Sequence, residues 1–223
     1  MRGKDHIAIS TGSALLLAAP WLLIHPAAVA IFTAGVIIGS LLPDTDATNS
    51  KLHYMDGIAR VFSLIMRPVV IPITKLVYRV LEKPFNPAHR GSMHTLPGVM
   101  VYTLILALLI GSALVFLGFG DIIIGFFFLG LFAGGILHLL EDCCTRSGLM
   151  PFKPFSDRKY AGSINTGSRI DVRPGFYGTV LVFAAAGVVV AGITYAISQP
   201  VLIAISLCLF AIIWVLILKL SRV

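Results

Sequence analysis

Charge is what this sequence has least of: Asp, Glu, Lys and Arg make up 12% of its 223 residues, against 57% hydrophobic residues. A soluble domain carries about a quarter charged residues, so a fully solvated globular surface is excluded. Cysteine is scarce too, with three in the chain. Cys143 and Cys144 are neighbours that cannot bridge each other comfortably, and Cys208 lies inside an apolar run. A disulfide framework is therefore not expected, and all three read as reduced, small hydrophobic side chains. Internal repeats and low-complexity linkers are also missing, so the chain reads as one membrane domain over 1–223.

What fills the sequence instead is a series of apolar runs, over residues 7–24, 27–42, 97–117, 121–142, 176–197 and 200–219. Most reach the ~20 residues needed to cross a hydrocarbon core, and the first two lie near the lower limit of ~17. Backbone groups have no water to bond with there, so the runs must be helical. The first run has a basic start, but Asp5 and His6 abut it, so a retained anchor is expected and not a cleaved signal peptide. The fold class that follows is an all-α integral membrane protein of about six transmembrane helices.

Basic residues are missing from one whole side. Threading six helices with turns at 24–26, 118–121 and 198–200 puts all 17 Lys and Arg with both termini and two long loops. The opposite side keeps Asp121 and no basic residue. The positive-inside rule then predicts a multi-pass protein of the cell (inner) membrane with both termini cytoplasmic. The segment 55–82 is apolar enough to suggest a further crossing, but Arg67 near its centre would cost at least ~2.5 kcal/mol. Pro68 and Pro72 should break a helix there. Arg60, Arg67, Lys75 and Arg79 share one side of a helical projection, which predicts an amphipathic segment along the membrane interface. Residues 143–175, rich in Pro and Gly, read as an irregular cytoplasmic loop.

This topology gathers polar residues at the cytoplasmic helix ends: His6, Asp44, Asp46, His89, His94, His138 and Asp142. His138 and Asp142 are four apart and share a helical face. Asp44 and Asp46 are two apart and would point the same way from an extended segment. Imidazole with carboxylate suits zinc, manganese or iron(II) better than a thiolate-binding metal; one or two divalent ions are expected, and because seven ligands exceed what one tetrahedral ion uses, two would use them better. Glu141 is rotated by about 100° from Asp142, making it a candidate base or supporting group. Arg90, between His89 and His94, could clamp a phosphate or carboxylate. His25 lies on the other face and His53 reads as a solvated loop position. The remaining cations read as positive-inside residues attracted to anionic lipid, so no nucleic-acid partner is expected.

At these positions the chain resembles the YdjM-type family of membrane-bound, metal-dependent hydrolases. The residues that carry the resemblance are His6, "LLPDTD" at 41–46, "HRGSMHT" at 89–95, and His138, Asp142, Thr145 and Gly148. The resemblance implies a hydrolase and a bound metal, zinc or manganese. Together with the site's depth, this predicts hydrolysis of a membrane lipid or amphiphilic phosphorylated substrate, with Glu141 and Arg90 as catalytic groups. "DGIAR" at 56–60 fails the spacing of the CDP-alcohol phosphotransferase signature. The competing class is a non-catalytic metal-binding membrane protein, a regulator or a transporter. Transport is disfavoured because transporter sites lie near the midplane, where this chain is apolar.

Overall fold

The computed structural model describes residues 1–46, 64, 66–88, 90–166 and 171–223. Among them the long elements are all helical: α1 (Gly3–Ala18), α2 (Pro26–Gly39), α3 (Ile71–Val80), α4 (Leu96–Phe116), α5 (Asp121–Cys143), α6 (Arg173–Tyr195) and α7 (Gln199–Leu220). A π-helical turn, Ala107–Gly111, interrupts α4. There is no strand among the described residues, only isolated bridges joining Thr145 to Ile164 and Leu149 to Tyr160 within the 143–175 loop.

Among the described residues four helices, α4 to α7, are long and apolar enough to cross a membrane. The expected count of six is therefore reduced. The first two apolar runs become helices of 16 and 14 residues, about 24 and 21 Å long at ~1.5 Å per residue, short of a ~30 Å hydrocarbon core. The first run turns 3-10 at Ala19–Trp21, and its helix begins among Lys4, Asp5 and His6, so part of its length is polar.

The two short helices are clasped by long ones. α2 packs on α5 and α1 on α6. Gly35 and Gly39 on α2 face Gly130 and Gly134 on α5, each pair four residues apart. A Cβ at any of the four would strike backbone of the other helix. This is the small-residue contact by which membrane helices approach backbone to backbone. On α1, a Cβ at Gly12 would lie 2.8 Å from the Gly178 carbonyl of α6. α7 is tied to α1 through Trp214, whose Nε1 donates to Ser13 Oγ at 3.1 Å.

These crossings divide the interior into two apolar clusters, one from α1, α2, α6 and α7, the other from α3, α4 and their neighbours. α5 runs between them, giving Leu137 to the first and Leu139 to the second. His138 lies between these two residues.

Both chain ends and the 143–175 loop gather at one end of the bundle. The Met1 amino group reaches Asp142 at 2.8 Å, and Ser163 N–H donates to the Ser221 carbonyl at 2.6 Å, so both ends lie beside the 143–175 loop. At the opposite end Gln199 Nε2 donates to the Pro20 carbonyl at 2.8 Å. His25 is exposed there, at the start of α2.

The described part of 55–82 is helical from Met66 to Val80, a π-turn leading into ten residues of α-helix. Pro68 and Pro72 do not break it, contrary to expectation: Pro68 lies within the π-turn Met66–Val70, and Pro72 at the start of α3 directly after it. Met66, Val70, Thr74 and Tyr78 form its buried stripe, while Lys75, Leu76, Arg79 and Val80 are exposed. Arg60 and the Arg67 side chain lie outside the described residues.

Candidate metal centre

Three elements deliver the imidazoles. His6 lies in the first turns of α1 and His138 in the last turns of α5. His94 ends the 3-10 turn Ser92–His94. That turn is set by Thr95, whose Oγ1 accepts from Gly98 N–H at 3.1 Å and caps α4. All three imidazoles are fully buried. His6 and His138 stack with ring centroids 4.0 Å apart, and the His94 ring lies 5.2 Å from that of His138. The α2–α5 crossing sets the depth at which Ser40 and Asp44 meet His138.

Two carboxylates complete the cluster. Asp44 Oδ1 lies 3.3 Å from His94 Nε2 and 3.8 Å from His138 Nε2. Asp142 has Oδ2 3.7 Å from His138 Nε2 and Oδ1 3.7 Å from His6 Nε2. Two overlapping groups result, His6–His138–Asp142 and Asp44–His94–His138, each with ligand atoms within 4.8 Å of one another. Burial pushes the Asp44 carboxyl up, but the neighbouring His138 and the hydrogen bond and charge of His94 outweigh it and hold it well below the usual carboxylate range.

The donor set fits a divalent ion. His6 Nε2 and His138 Nε2 are buried and accept no hydrogen bond, which is costly unless something else engages them. The separations of 3.7 and 3.8 Å are too long for hydrogen bonds. They approach the ~3.3–3.5 Å between neighbouring ligand atoms that tetrahedral bonds of about 2.0–2.2 Å imply. Because His138 Nε2 has one lone pair and belongs to both groups, the groups overlap on one ion more readily than they serve two.

Behind the ligand atoms the rings are held in place. His138 Nδ1 donates to the Ser40 carbonyl at 2.7 Å, which leaves Nε2 free of a proton in the neutral ring. His6 Nδ1 lies 2.5 Å from Glu141 Oε2, and Glu141 Oε1 accepts from Ser10 Oγ at 2.8 Å. Carboxylates and carbonyls in this position fix the tautomer and raise the basicity of a ligating imidazole. Glu141 is fully buried with both oxygens engaged, so it stands behind His6 and not at a reacting atom. That is where the expectation of a catalytic base parts from the geometry.

Arg90 adopts a left-handed backbone, φ 64°. Its Nη2 donates to Asp142 Oδ1 at 3.1 Å, and its Nη1 reaches the Gly148 carbonyl at 3.1 Å and Ser147 Oγ. It ties the 145–148 loop to the centre. Asp46 ends the 3-10 turn Pro43–Asp46, so the extended segment expected over Asp44 and Asp46 is not formed. The Asp46 side chain, His89 and His53 lie outside the described residues. Cys143 and Cys144 are buried and unbridged, and burial pushes the Cys144 thiol up to about 11.

The features that sequence reasoning missed are Ser10 and the Ser40 carbonyl. Ser10, four residues after His6 on the same helical face, was open to discovery by spacing. A backbone carbonyl carries no sequence signal.

A family model described as YdjM inner membrane protein matches residues 1–222. The chain belongs to the YdjM inner membrane protein family. The YdjM match runs through all of α1 to α7, including α6 and α7, which hold no candidate ligand. Comparison with curated proteins and with solved structures finds no match.

Proposed function

We propose that this YdjM-family chain is a metal-dependent hydrolase of the inner membrane, multi-pass with both termini cytoplasmic, acting on a lipid or lipid-linked phosphoester. The observation that carries the reading is the convergence of three buried imidazoles and two carboxylates at the basic end of the bundle, with the Nε2 atoms of His6 and His138 unsatisfied. The ligands would be His6, His94, His138, Asp44 and Asp142, on one zinc or manganese ion. Such an ion supplies Lewis acidity and lowers the pKa of water toward ~7.

The chain's own residues do the rest. Glu141 and the Ser40 carbonyl aim His6 and His138, and Arg90 holds Asp142 in place. The Asp44 side chain is 32% exposed while the partners facing it are fully buried, so solvent reaches the centre from the Asp44 side. A closed structural centre would have no such side, which favours catalysis over a non-catalytic metal-binding role. His89 and Asp46 remain candidate additional ligands from the same sequence blocks.

The test is phosphate or headgroup release from a panel of lipids by purified protein, with a chelator as control. Activity abolished by chelator and by Asp44→Ala, and restored by added metal, is the expected result. Release indifferent to both would overturn the hydrolase reading, and metal binding without release would favour the regulator.

A further inference from the structure

Beside the centre a cleft of about 430 Å³ lies between the end of α3 with its following segment and the 147–159 loop. Arg90, Lys153 and Lys159 line it against a single carboxylate, Asp157. Lys153 pairs with Asp157 at 3.3 Å, and both are exposed enough to exchange that contact for another anion. Lys159 makes no ion pair among the described residues. One guanidinium joins the two sites, since Arg90 faces the cleft and also holds Asp142.

Exposed apolar side chains stand next in sequence to its lining residues. Val80 and Leu81, at the end of α3, are 74% and 58% exposed, and Phe155 on the facing loop is 72% exposed. Phe152 is exposed beside it. Lys83 reaches over the Phe155 ring at 5.7 Å, linking the two walls. A cationic cleft with the exposed Phe152 and Phe155 flanking its Lys153 and Pro154 matches a molecule with an anionic head and a hydrocarbon tail. Aromatic and aliphatic side chains left bare at that level are those that settle into a membrane interface.

We propose that this cleft binds the anionic, phosphate-bearing headgroup of a membrane amphiphile, with Lys153 and Lys159 on the phosphate and Phe152 and Phe155 against its tail. That this amphiphile is the substrate rests on the hydrolase reading above; that the cleft binds it does not.

The test is calorimetric titration of the metal-loaded full chain in detergent. The probes are short-chain phosphatidate, the matching phosphatidylcholine, glycerol phosphate and inorganic phosphate. Phosphatidate should bind saturably and tightest. The double variant Lys153→Ala/Lys159→Ala should weaken phosphatidate and glycerol phosphate about tenfold, since exposed cations contribute modestly, with bound metal unchanged. Phe152→Ser/Phe155→Ser should weaken phosphatidate alone. Unchanged phosphatidate binding in the lysine variant would overturn the site. Inorganic phosphate binding as tightly as phosphatidate, or an inert phenylalanine variant, would overturn the amphiphile in favour of a free anion. Binding retained in a protein that releases no product would count against the hydrolase reading and leave the cleft standing.

Discussion

Replacing Glu141 by Gln separates two roles that its position beside Asp142 leaves open on sequence alone. In the fold its Oε2 faces His6 Nδ1 at 2.5 Å and its Oε1 takes the Ser10 hydroxyl at 2.8 Å. The amide of Glu141→Gln keeps the shape, and its oxygen can still accept from His6. What changes is the basicity of the group behind His6 Nδ1, and with it the donor strength of His6 Nε2. Changes of this kind behind a ligating histidine weaken metal affinity by about 10–100-fold, or about 1.4–2.7 kcal/mol. Competition of the purified protein against a chromophoric chelator measures this directly. Ser10→Ala, which removes one of the two hydrogen bonds to the same carboxylate, should shift affinity in the same direction by less. If Glu141→Gln holds metal as tightly as the parent while losing turnover, Glu141 is a base and the reasoning from its buried hydrogen bonds is wrong.

Gly134→Leu should lower thermal stability in detergent by at least about 1–3 kcal/mol, because its Cβ would strike the Val36 carbonyl. Gly187→Leu, whose Cβ meets nothing within 4 Å, should be near neutral; equal effects would refute the α2–α5 contact. Asp171 is held well below the usual carboxylate range by its hydrogen bond to Arg173, at 2.7 Å. A depressed carboxyl stabilises above its ordinary pKa of ~3.9 and loses that contribution as pH falls below it. Asp171→Asn should therefore cost about 1 kcal/mol at neutral pH, discounted because Arg173 is partly exposed, and its stability should converge with the parent's in acid. A constant gap down the pH scale would contradict this.

The convergence of His138 and Asp142 on one face was legible because they stand one helical turn apart at the end of an apolar run, where ionisable groups are costly and seldom incidental. The four long helices were legible from length and hydropathy. The shorter two were overextended, since hydropathy does not reveal that Lys4, Asp5 and His6 join α1 or that α2 stops at Gly39. Counting residues also cannot show that Gly35 and Gly39 let a short helix shelter against a longer one. Pro72 was misjudged because a proline's effect depends on its place in the turn, which periodicity alone does not set. Glu141 was misplaced because a rotation of about 100° says which way a carboxylate leaves the helix, not that Ser10 and His6 wait there. The cleft was invisible because its walls, at Tyr78 and Lys153, are far apart in the chain and meet only in the fold.

The central claim is that His138, common to both ligand groups, holds a divalent ion with His6, His94, Asp44 and Asp142. Elemental analysis of the purified protein beside His138→Ala tests it most directly. The expected result is stoichiometric zinc or manganese in the parent and its loss in a variant that still purifies as a folded, monodisperse species. Stoichiometric metal in folded His138→Ala, or none in a parent offered zinc and manganese, would contradict it.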